Sequence, residues 1–337
     1  MTKELRRVSI AVLIMFLALF GSTTVIQVLR ADDLRGDGRN TRTLYASFSA
    51  QRGDISAGET RIATSVPAKD VYQWQRQYAN GPLYAPITGY TVLFGQPRGI
   101  EGALDQELAG TADSQFLSNL NSIITGQPPR GDNVALTIDP RLQQVAYDAL
   151  GTQTGAVVAI EPSTGRILAM VSKPSYDPNL LAVHDTKQAN ASYDQLVADP
   201  TKPLVDRAIG GDLYPPGSTF KLIVASAALE SGSYTPESEF PNPASYQLPG
   251  TNTFIGNSEG GACGGGATAS IATALRLSCN IPFAQLGIAL GQDAIRAQAK
   301  KFGFADAALG LPMKVTPSQY PDDDSDAPTA LSAVGQA

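Results

Sequence analysis

Residues 214–221 read Tyr-Pro-Pro-Gly-Ser-Thr-Phe-Lys, and this segment gives the strongest indication of the fold. Two prolines and a glycine favour a turn, and an apolar helix is predicted after it, from Ser218 to Glu230, ended by Gly232. Ser218 then lies at the helix N-terminus, with Lys221 on the same face three positions later. A serine hydroxyl needs an adjacent base to act as a nucleophile. A lysine can be that base where partial burial shifts it toward its neutral form.

The Ser-x-x-Lys spacing is a weak signal by itself, because about one match per chain of this size is expected by chance. The alternative is a helix-capping serine followed by an exposed lysine in the first turn. Two features favour a catalytic role for Ser218 and Lys221: a lysine at a helix N-terminus opposes the helix dipole, and the neighbours of Lys221 are apolar. The helix is apolar nearly all round, so it is predicted to be buried.

A second polar element is Ser278-Cys279-Asn280, which begins 57 residues after Lys221. In a tight turn, Ser278 and Asn280 can face one cleft, where the serine could relay a proton and the asparagine could hold a substrate amide. The alternative for these three residues taken alone is a polar loop with an Asx turn.

The N-terminal residues predict a membrane anchor. Residues 8–29 form a run of 22 without a charge, which is long enough to cross a bilayer as a helix. Lys3, Arg6 and Arg7 precede it, and positive residues stay in the cytoplasm, so the rest of the chain is expected outside. The alternative is a cleaved signal peptide, which would have a shorter apolar region and a small-x-small cleavage site.

Ser-x-x-Lys combined with Ser-x-Asn is the pattern of penicillin-binding proteins and serine β-lactamases. The resemblance extends along the chain. Residues 51–55 resemble the opening of the pedestal domain of class B penicillin-binding proteins, residues 99–110 its second block, and residues 155–170 the first hairpin of the transpeptidase domain. The short pedestal and the Ser-Cys-Asn triplet are most similar to the actinobacterial penicillin-binding protein A subfamily.

This resemblance implies an α+β fold with a transmembrane helix, a small β-rich pedestal domain and a penicillin-binding/β-lactamase-like transpeptidase domain. The expected boundaries are residues 1–7 for a cytoplasmic tail, 8–29 for the anchor, 30–131 for the non-catalytic pedestal and 132–337 for a partial transpeptidase domain. The expected location is the cell membrane, crossed once, with the catalytic domain extracytoplasmic.

The resemblance also implies a mechanism. Ser218 attacks the penultimate D-Ala carbonyl of a peptidoglycan stem peptide while Lys221 takes its proton. The acyl-enzyme loses D-Ala with proton delivery through Ser278, and an amine of a neighbouring stem peptide resolves it into a cross-link. Asn280 orients the donor amide. β-Lactam antibiotics would acylate the same serine, and neither a metal nor an organic cofactor is required.

The third motif of the family, Lys-Thr-Gly or Lys-Ser-Gly, is absent, because none of the nine lysines is followed by either dipeptide. We therefore expect a C-terminally truncated chain that lacks the strand carrying this motif. That strand would supply an oxyanion donor, whose loss costs on the order of a hundredfold in rate. These 337 residues alone are expected to be inactive and poorly folded.

Composition excludes several other functions. The net charge of −6 argues against a nucleic-acid partner. One histidine and two cysteines exclude a His-rich metal centre and a Cys-x-x-Cys redox pair.

Cys263 and Cys279 both fall on the oxidising side of the membrane, so a disulfide between them is plausible. Two free thiols are the alternative.

Three functions were compared with the motifs, and they fit to different degrees. A class B transpeptidase of division or elongation fits best, working with a separate glycosyltransferase and division proteins, since class B members lack their own glycosyltransferase domain. A β-lactamase fits poorly, because it needs neither the anchor nor the pedestal. A non-catalytic β-lactam sensor or divisome scaffold would use the same fold to bind, but the presence of both motifs disfavours it.

The local patterns predict further elements. Asp139 and Pro140 begin a helix with one apolar face, and residues 156–171 form a hairpin around a Pro/Gly turn. Residues 177–212 read as loop. The remaining expectations are strands at 43–48 and 89–95, a short helix at 113–120, and a helix at 267–285 that Pro282 interrupts.

Overall fold

The computed structural model describes residues 2–30, 50–93, 95–112, 130–306, 309–323 and 325–336. The predicted strand at 43–48 and the predicted helix at 113–120 lie outside these residues. The chain divides into two compact units, residues 1–208 and 209–337. The predicted domain boundary at residue 131 does not coincide with the division between these units, because it lies inside the first unit. The boundary stays a prediction.

The N-terminal segment is a long helix. Helix α1 spans Thr2–Thr24 and continues as a π-helical turn over Val25–Leu29. From Leu5 to Leu29 it is long and apolar enough to cross a membrane, and none of this stretch is buried in the protein. The helix is therefore compatible with the predicted single-pass anchor.

The first unit contains a small sheet. Its strands are β1 (Ile55–Ala57), β2 (Thr60–Pro67), β3 (Trp74–Tyr78) and β4 (Val134–Leu136), in the order β3-β2-β1-β4. β1 and β4 are parallel, while the other two pairs are antiparallel. Three helices follow β3 along the chain: α2 (Gly81–Thr88), α3 (Gly99–Ala103) and α4 (Asp105–Ala109).

The predicted strand at 89–95 is wrong for the residues described, because 89–93 form a buried loop after helix α2. The main chain there is paired with other groups. The Thr91 N–H donates to the hydroxyl of Tyr78 at 2.9 Å, and the Arg98 N–H donates to the Tyr90 carbonyl at 3.0 Å. These bonds take the place of a strand ladder.

A buried ion cluster ties this sheet to helix α3. Glu101 is fully buried and accepts from Arg52 Nε at 2.5 Å and from Arg76 Nε at 2.6 Å. Burial opposes ionisation of Glu101, but the charges of the two arginines outweigh it and hold the pKa of this carboxyl below its usual value. The cluster therefore joins β3 and the segment before β1 to helix α3 through charged hydrogen bonds.

The second half of the first unit is a helix and a hairpin. Helix α5 (Pro140–Leu150) begins as predicted, since the Asp139 carboxylate accepts from two N–H groups of its first turn. Strands β5 (Gly155–Ile160) and β6 (Ile167–Lys173) form the predicted antiparallel hairpin. Helix α6 spans Thr186–Ala198 inside the predicted loop. None of its residues is buried.

The apolar face predicted for α5 is not the buried one. Leu142 and Val145 are exposed, whereas Gln143 is completely buried. The Gln143 amide donates to the carbonyls of Leu83 and Met170 and accepts from the Met170 N–H. These three bonds satisfy main-chain groups of α2 and β6, which explains why a polar side chain is buried here.

Helices make up most of the regular secondary structure described for the second unit. Its helices are α7 (Lys221–Glu230), α8 (Ile271–Arg276), α9 (Asn280–Leu290), α10 (Gln292–Lys301) and α11 (Asp326–Ala333). Short strands β7 (Glu239–Pro241) and β10 (Thr268–Ser270) pair antiparallel, as do β8 (Tyr246–Gln247) and β9 (Phe254–Ile255). The core includes Val224, Phe283, Ile295 and Ala330, all fully buried.

Two predictions for this unit need correction. The predicted helix at 267–285 starts with strand β10 and breaks at 277–279, not at Pro282. Pro282 lies in the first turn of α9, where a missing N–H costs no helical hydrogen bond. Helix α7 is buried on most of its surface, but Leu222 and Leu229 are exposed.

Candidate active site

Ser218 lies in a 3₁₀ turn, Gly217–Phe220, that leads directly into helix α7. Side chains three positions apart eclipse each other in a 3₁₀ helix, and Ser218 Oγ is 3.2 Å from Lys221 Nζ. Gly217 enters the turn with a φ of +60°, a conformation that favours glycine. The turn therefore aligns the serine with the lysine more directly than an α-helical turn would.

Lys221 is at the centre of the site. Its side chain is only 1% exposed, which excludes the alternative of a surface lysine. Nζ is 2.7 Å from both the Ser278 carbonyl oxygen and Asn280 Oδ1, and 3.1 Å from Ser278 Oγ. The structure thus brings together the four residues that the two motifs predicted.

The hydrogen bonds of Lys221 define what its proton can do. The Ser278 carbonyl and Asn280 Oδ1 can only accept, so both contacts require an N–H of the lysine. A neutral amine has two N–H bonds, which these contacts use, and its lone pair stays available to a serine hydroxyl. An ammonium would donate its third N–H to that hydroxyl oxygen. Protonation of Lys221 therefore changes the direction of only one hydrogen bond, the one to a serine hydroxyl (Ser218 or Ser278), from accepting to donating.

Burial lowers the pKa of Lys221 to about 8 from an ordinary value of 10.5. At pH 7 about a tenth of the molecules would carry the neutral amine, compared with less than a thousandth at the ordinary value. A neutral Lys221 can accept a proton from the Ser218 hydroxyl, so the site has the elements of an activated serine nucleophile.

The Ser278-Asn280 turn separates helices α8 and α9. Ser278 has a φ of +56°, a left-handed conformation that is uncommon outside glycine. Such strained residues cluster at functional sites. This conformation breaks the helix at the point where both the carbonyl and the hydroxyl of Ser278 face Lys221.

A disulfide joins this turn to the glycine-rich loop. Cys263 and Cys279 are bonded, with their Cα atoms 5.7 Å apart, which is the pairing suggested by the sequence. Cys263 lies in a short 3₁₀ turn of the loop, and Cys279 lies between Ser278 and Asn280. The bond therefore ties the loop to the second motif.

Two residues of the site, Gly256 and Asn257, were not predicted from the sequence. Asn280 Nδ2 donates to the Gly256 carbonyl at 3.0 Å, which directs Oδ1 toward Lys221. Asn257 Oδ1 accepts from the N–H groups of Asn280 and Ile281. Both follow strand β9 in a polar, glycine-rich stretch, so no spacing or periodicity distinguishes them, and only the tertiary contact does.

Comparison with known families covers most of the chain. Residues 155–336 match the penicillin binding protein transpeptidase domain, and residues 52–134 match the penicillin binding protein A dimerisation domain. The peptidoglycan D,D-transpeptidases PbpA of Mycolicibacterium smegmatis and Mycobacterium tuberculosis are each 41% identical to this chain. Each alignment covers all of this chain and 69% of the relative.

Solved structures of penicillin-binding protein A resemble this chain in sequence and in fold. The ceftriaxone acyl-enzyme complex of penicillin-binding protein A from M. tuberculosis is 40% identical, with a TM-score of 0.81 over 87% of this chain and 66% of that one. The imipenem acyl-enzyme complex of the same protein gives a TM-score of 0.80 at 40% identity, over 86% of this chain and 68% of that one. These matches confirm the α+β fold predicted by the resemblance, and the chain belongs to the penicillin-binding protein transpeptidase family.

Proposed function

We propose that this protein is a peptidoglycan D,D-transpeptidase that forms cell-wall cross-links through an acyl-enzyme on Ser218. The observation that carries the proposal is the buried amine of Lys221, 3.2 Å from the Ser218 hydroxyl and held by Ser278 and Asn280. The relatives are peptidoglycan D,D-transpeptidases, which supports the reaction, and the similar structures are β-lactam acyl-enzyme complexes, which supports acylation by β-lactams.

The geometry supports the following sequence of steps. Neutral Lys221 accepts the hydroxyl proton as Ser218 Oγ attacks the D-Ala carbonyl. The tetrahedral intermediate collapses, D-Ala leaves with a proton that reaches it from Lys221 through Ser278, and an ester remains on Ser218. The amine of a second stem peptide attacks this ester, gives up its proton by the reverse route and releases the cross-linked product.

Asn280 would orient the substrate while the chemistry proceeds. Its Oδ1 is occupied by Lys221 and its Nδ2 by Gly256 in this structure. We propose that the incoming donor amide competes for Nδ2, which would let Asn280 bind substrate without releasing the lysine. A β-lactam would enter the same position and acylate Ser218. No metal or organic cofactor takes part in these steps.

The domain and membrane assignments are part of the same proposal. Residues 30–131 would form the non-catalytic pedestal, supported by the dimerisation-domain match over 52–134, and 132–337 would belong to the transpeptidase domain. Residues 1–7 would be cytoplasmic and 8–29 the anchor, supported by the apolar helix. A separate glycosyltransferase and division proteins are the proposed partners. The similar structures are acyl-enzyme complexes, which does not favour a non-catalytic sensor or scaffold.

A fluorescent penicillin tests the proposal on membranes of cells that express the protein at its natural full length. We expect covalent label on the wild type and on Ser226→Ala, but none on Ser218→Ala. Ser226 is a suitable control because it lies on helix α7, which follows the turn that carries Ser218, and its hydroxyl donates to the Leu222 carbonyl. A wild type without label, or a Ser218→Ala variant that keeps it, would refute the assignment of the nucleophile.

A further inference from the structure

Helix α9, which begins with Asn280, has its N-terminus capped by a residue from elsewhere in the chain. The first N–H groups of a helix have no partner within it, and the residue at the cap position, Cys279, supplies no side-chain hydrogen bond. Asn257 Oδ1 accepts instead, from the Asn280 N–H at 2.9 Å and the Ile281 N–H at 3.1 Å. Asn257 therefore performs the role of a capping side chain from 23 residues upstream.

Asn257 is itself held in one orientation. It is buried, and Nδ2 donates to Asn242 Oδ1 at 3.2 Å and to the Gly261 carbonyl at 3.1 Å. Asn242 is 0% exposed. Its amide donates to the carbonyls of Cys263 and Gly266 and accepts from the Cys263 N–H. A network of buried amides thus fixes the cap to the glycine-rich loop.

Gly256, the residue before Asn257, holds the side chain of Asn280. The Gly256 carbonyl accepts from Asn280 Nδ2 at 3.0 Å, so Oδ1 faces Lys221 at 2.7 Å. Residues 256 and 257 together fix both the main chain and the side chain of Asn280. Because Ser278 and Asn280 supply the shortest contacts of Lys221, the position of the helix start sets the position of the amine.

We propose that Asn257 is a positioning residue of the active site, which places Asn280 and Ser278 around Lys221 by capping helix α9, with Asn242 fixing it to the loop. This inference rests on the proposed function. It predicts that loss of the capping oxygen slows acylation more than it weakens β-lactam binding, because a 1 Å misplacement of a reacting group can cost about a hundredfold in rate.

Two substitutions of Asn257 separate positioning from stability. Asn257→Ala removes the capping oxygen and the Nδ2 donor. Asn257→Asp keeps an oxygen for the two N–H groups, where a negative charge suits a helix N-terminus, but loses the donor to Asn242 and Gly261. Both variants are expected to melt at lower temperature. The alanine variant alone is expected to show a limiting acylation rate about 10- to 100-fold lower.

The matched control is Gln143→Ala, which removes another fully buried amide with three hydrogen bonds to the main chain, in the first unit. The limiting acylation rate and the dissociation constant of the noncovalent complex are measured with fluorescent penicillin on the full-length protein. Melting temperatures and hydrogen exchange of the Asn280 and Ile281 amides are recorded in parallel. The control is expected to melt at a lower temperature but to acylate within about threefold of wild type, since its bonding partners Leu83 and Met170 are not among the residues that hold Lys221.

The outcomes are distinguishable. A slow alanine variant, recovery in the aspartate variant despite its lower melting temperature, and a normal Gln143→Ala would support the proposal. It is overturned if Asn257→Ala acylates at the wild-type limiting rate, if Asn257→Asp is as slow as Asn257→Ala, or if Gln143→Ala is equally slow. If the alanine variant does not fold, Asn257→Asp decides: near-normal acylation supports the cap and a tenfold loss overturns it. A wild type that is not acylated at all refutes the proposed function together with this inference.

Discussion

The acylation of Ser218 by a β-lactam is expected to depend on pH through Lys221. In the proposed mechanism the reaction requires the neutral amine, and burial lowers the pKa of Lys221 to about 8. The neutral fraction would rise from about 1% at pH 6 to about 90% at pH 9, so the second-order acylation rate constant is expected to increase roughly ninetyfold over this range. It should rise about tenfold per pH unit below pH 7 and level off above pH 9.

The rate constant is measured with a fluorescent penicillin at low concentration between pH 6 and 10, with the spontaneous hydrolysis of the β-lactam subtracted. Lys221→Arg is the control, because a guanidinium stays charged throughout this range, and its rate should be low and independent of pH. Two results would refute the reasoning: a wild-type rate constant that changes less than about threefold between pH 6 and 9, or one that still rises tenfold per unit beyond pH 9.

The same pKa shift affects stability, and its sign is opposite to that of a lysine in an ion pair. Between about pH 8 and 10.5, the unfolded chain binds more protons at Lys221 than the folded protein does. This group therefore raises the free energy of unfolding as the pH rises through that window, and contributes no pH dependence well below it.

Three further predictions concern stability and the shape of the site. Glu101→Gln leaves the buried charge of Arg76 without its carboxylate partner and removes one of the two carboxylates that pair with Arg52, the other being Asp105. It is expected to lower the free energy of unfolding by about 3 kcal/mol or more, measured by urea denaturation; an unchanged midpoint would contradict the account of the ion cluster. Reduction of the Cys263–Cys279 bond, which closes a loop with a sequence separation of 16, is expected to cost about 3 kcal/mol, and alkylation before reduction should add no mass. Gly335→Ala places a Cβ 2.0 Å from the Gly217 carbonyl oxygen, so it should displace the 3₁₀ turn and slow acylation at least about tenfold. Gly155→Ala, where a Cβ meets nothing within 4 Å, should acylate normally.

Local sequence signals predicted those parts of the fold that depend on near neighbours in the chain. The Asp139 cap, the hairpin of β5 and β6, and the apolar run of α1 were all predicted correctly, because capping, turn chemistry and length act within a few residues. Predictions failed where a tertiary contact overrode the pattern. Residues 89–93 pair with side chains and a distant main-chain group, and helix α6 forms without any buried apolar face.

For the candidate active site, the chemical groups could be read from the sequence: a serine with a lysine three positions later, and a second serine with an asparagine two positions later. The spacing of the first pair was informative because a single helical turn sets the distance between the serine and lysine side chains. The folded structure was needed to see that the two pairs meet at Lys221, that the amine is buried enough to lower its pKa, and that Asn257 caps the helix of the second pair. These properties depend on contacts between residues 20 to 60 positions apart, which local periodicity and spacing do not encode.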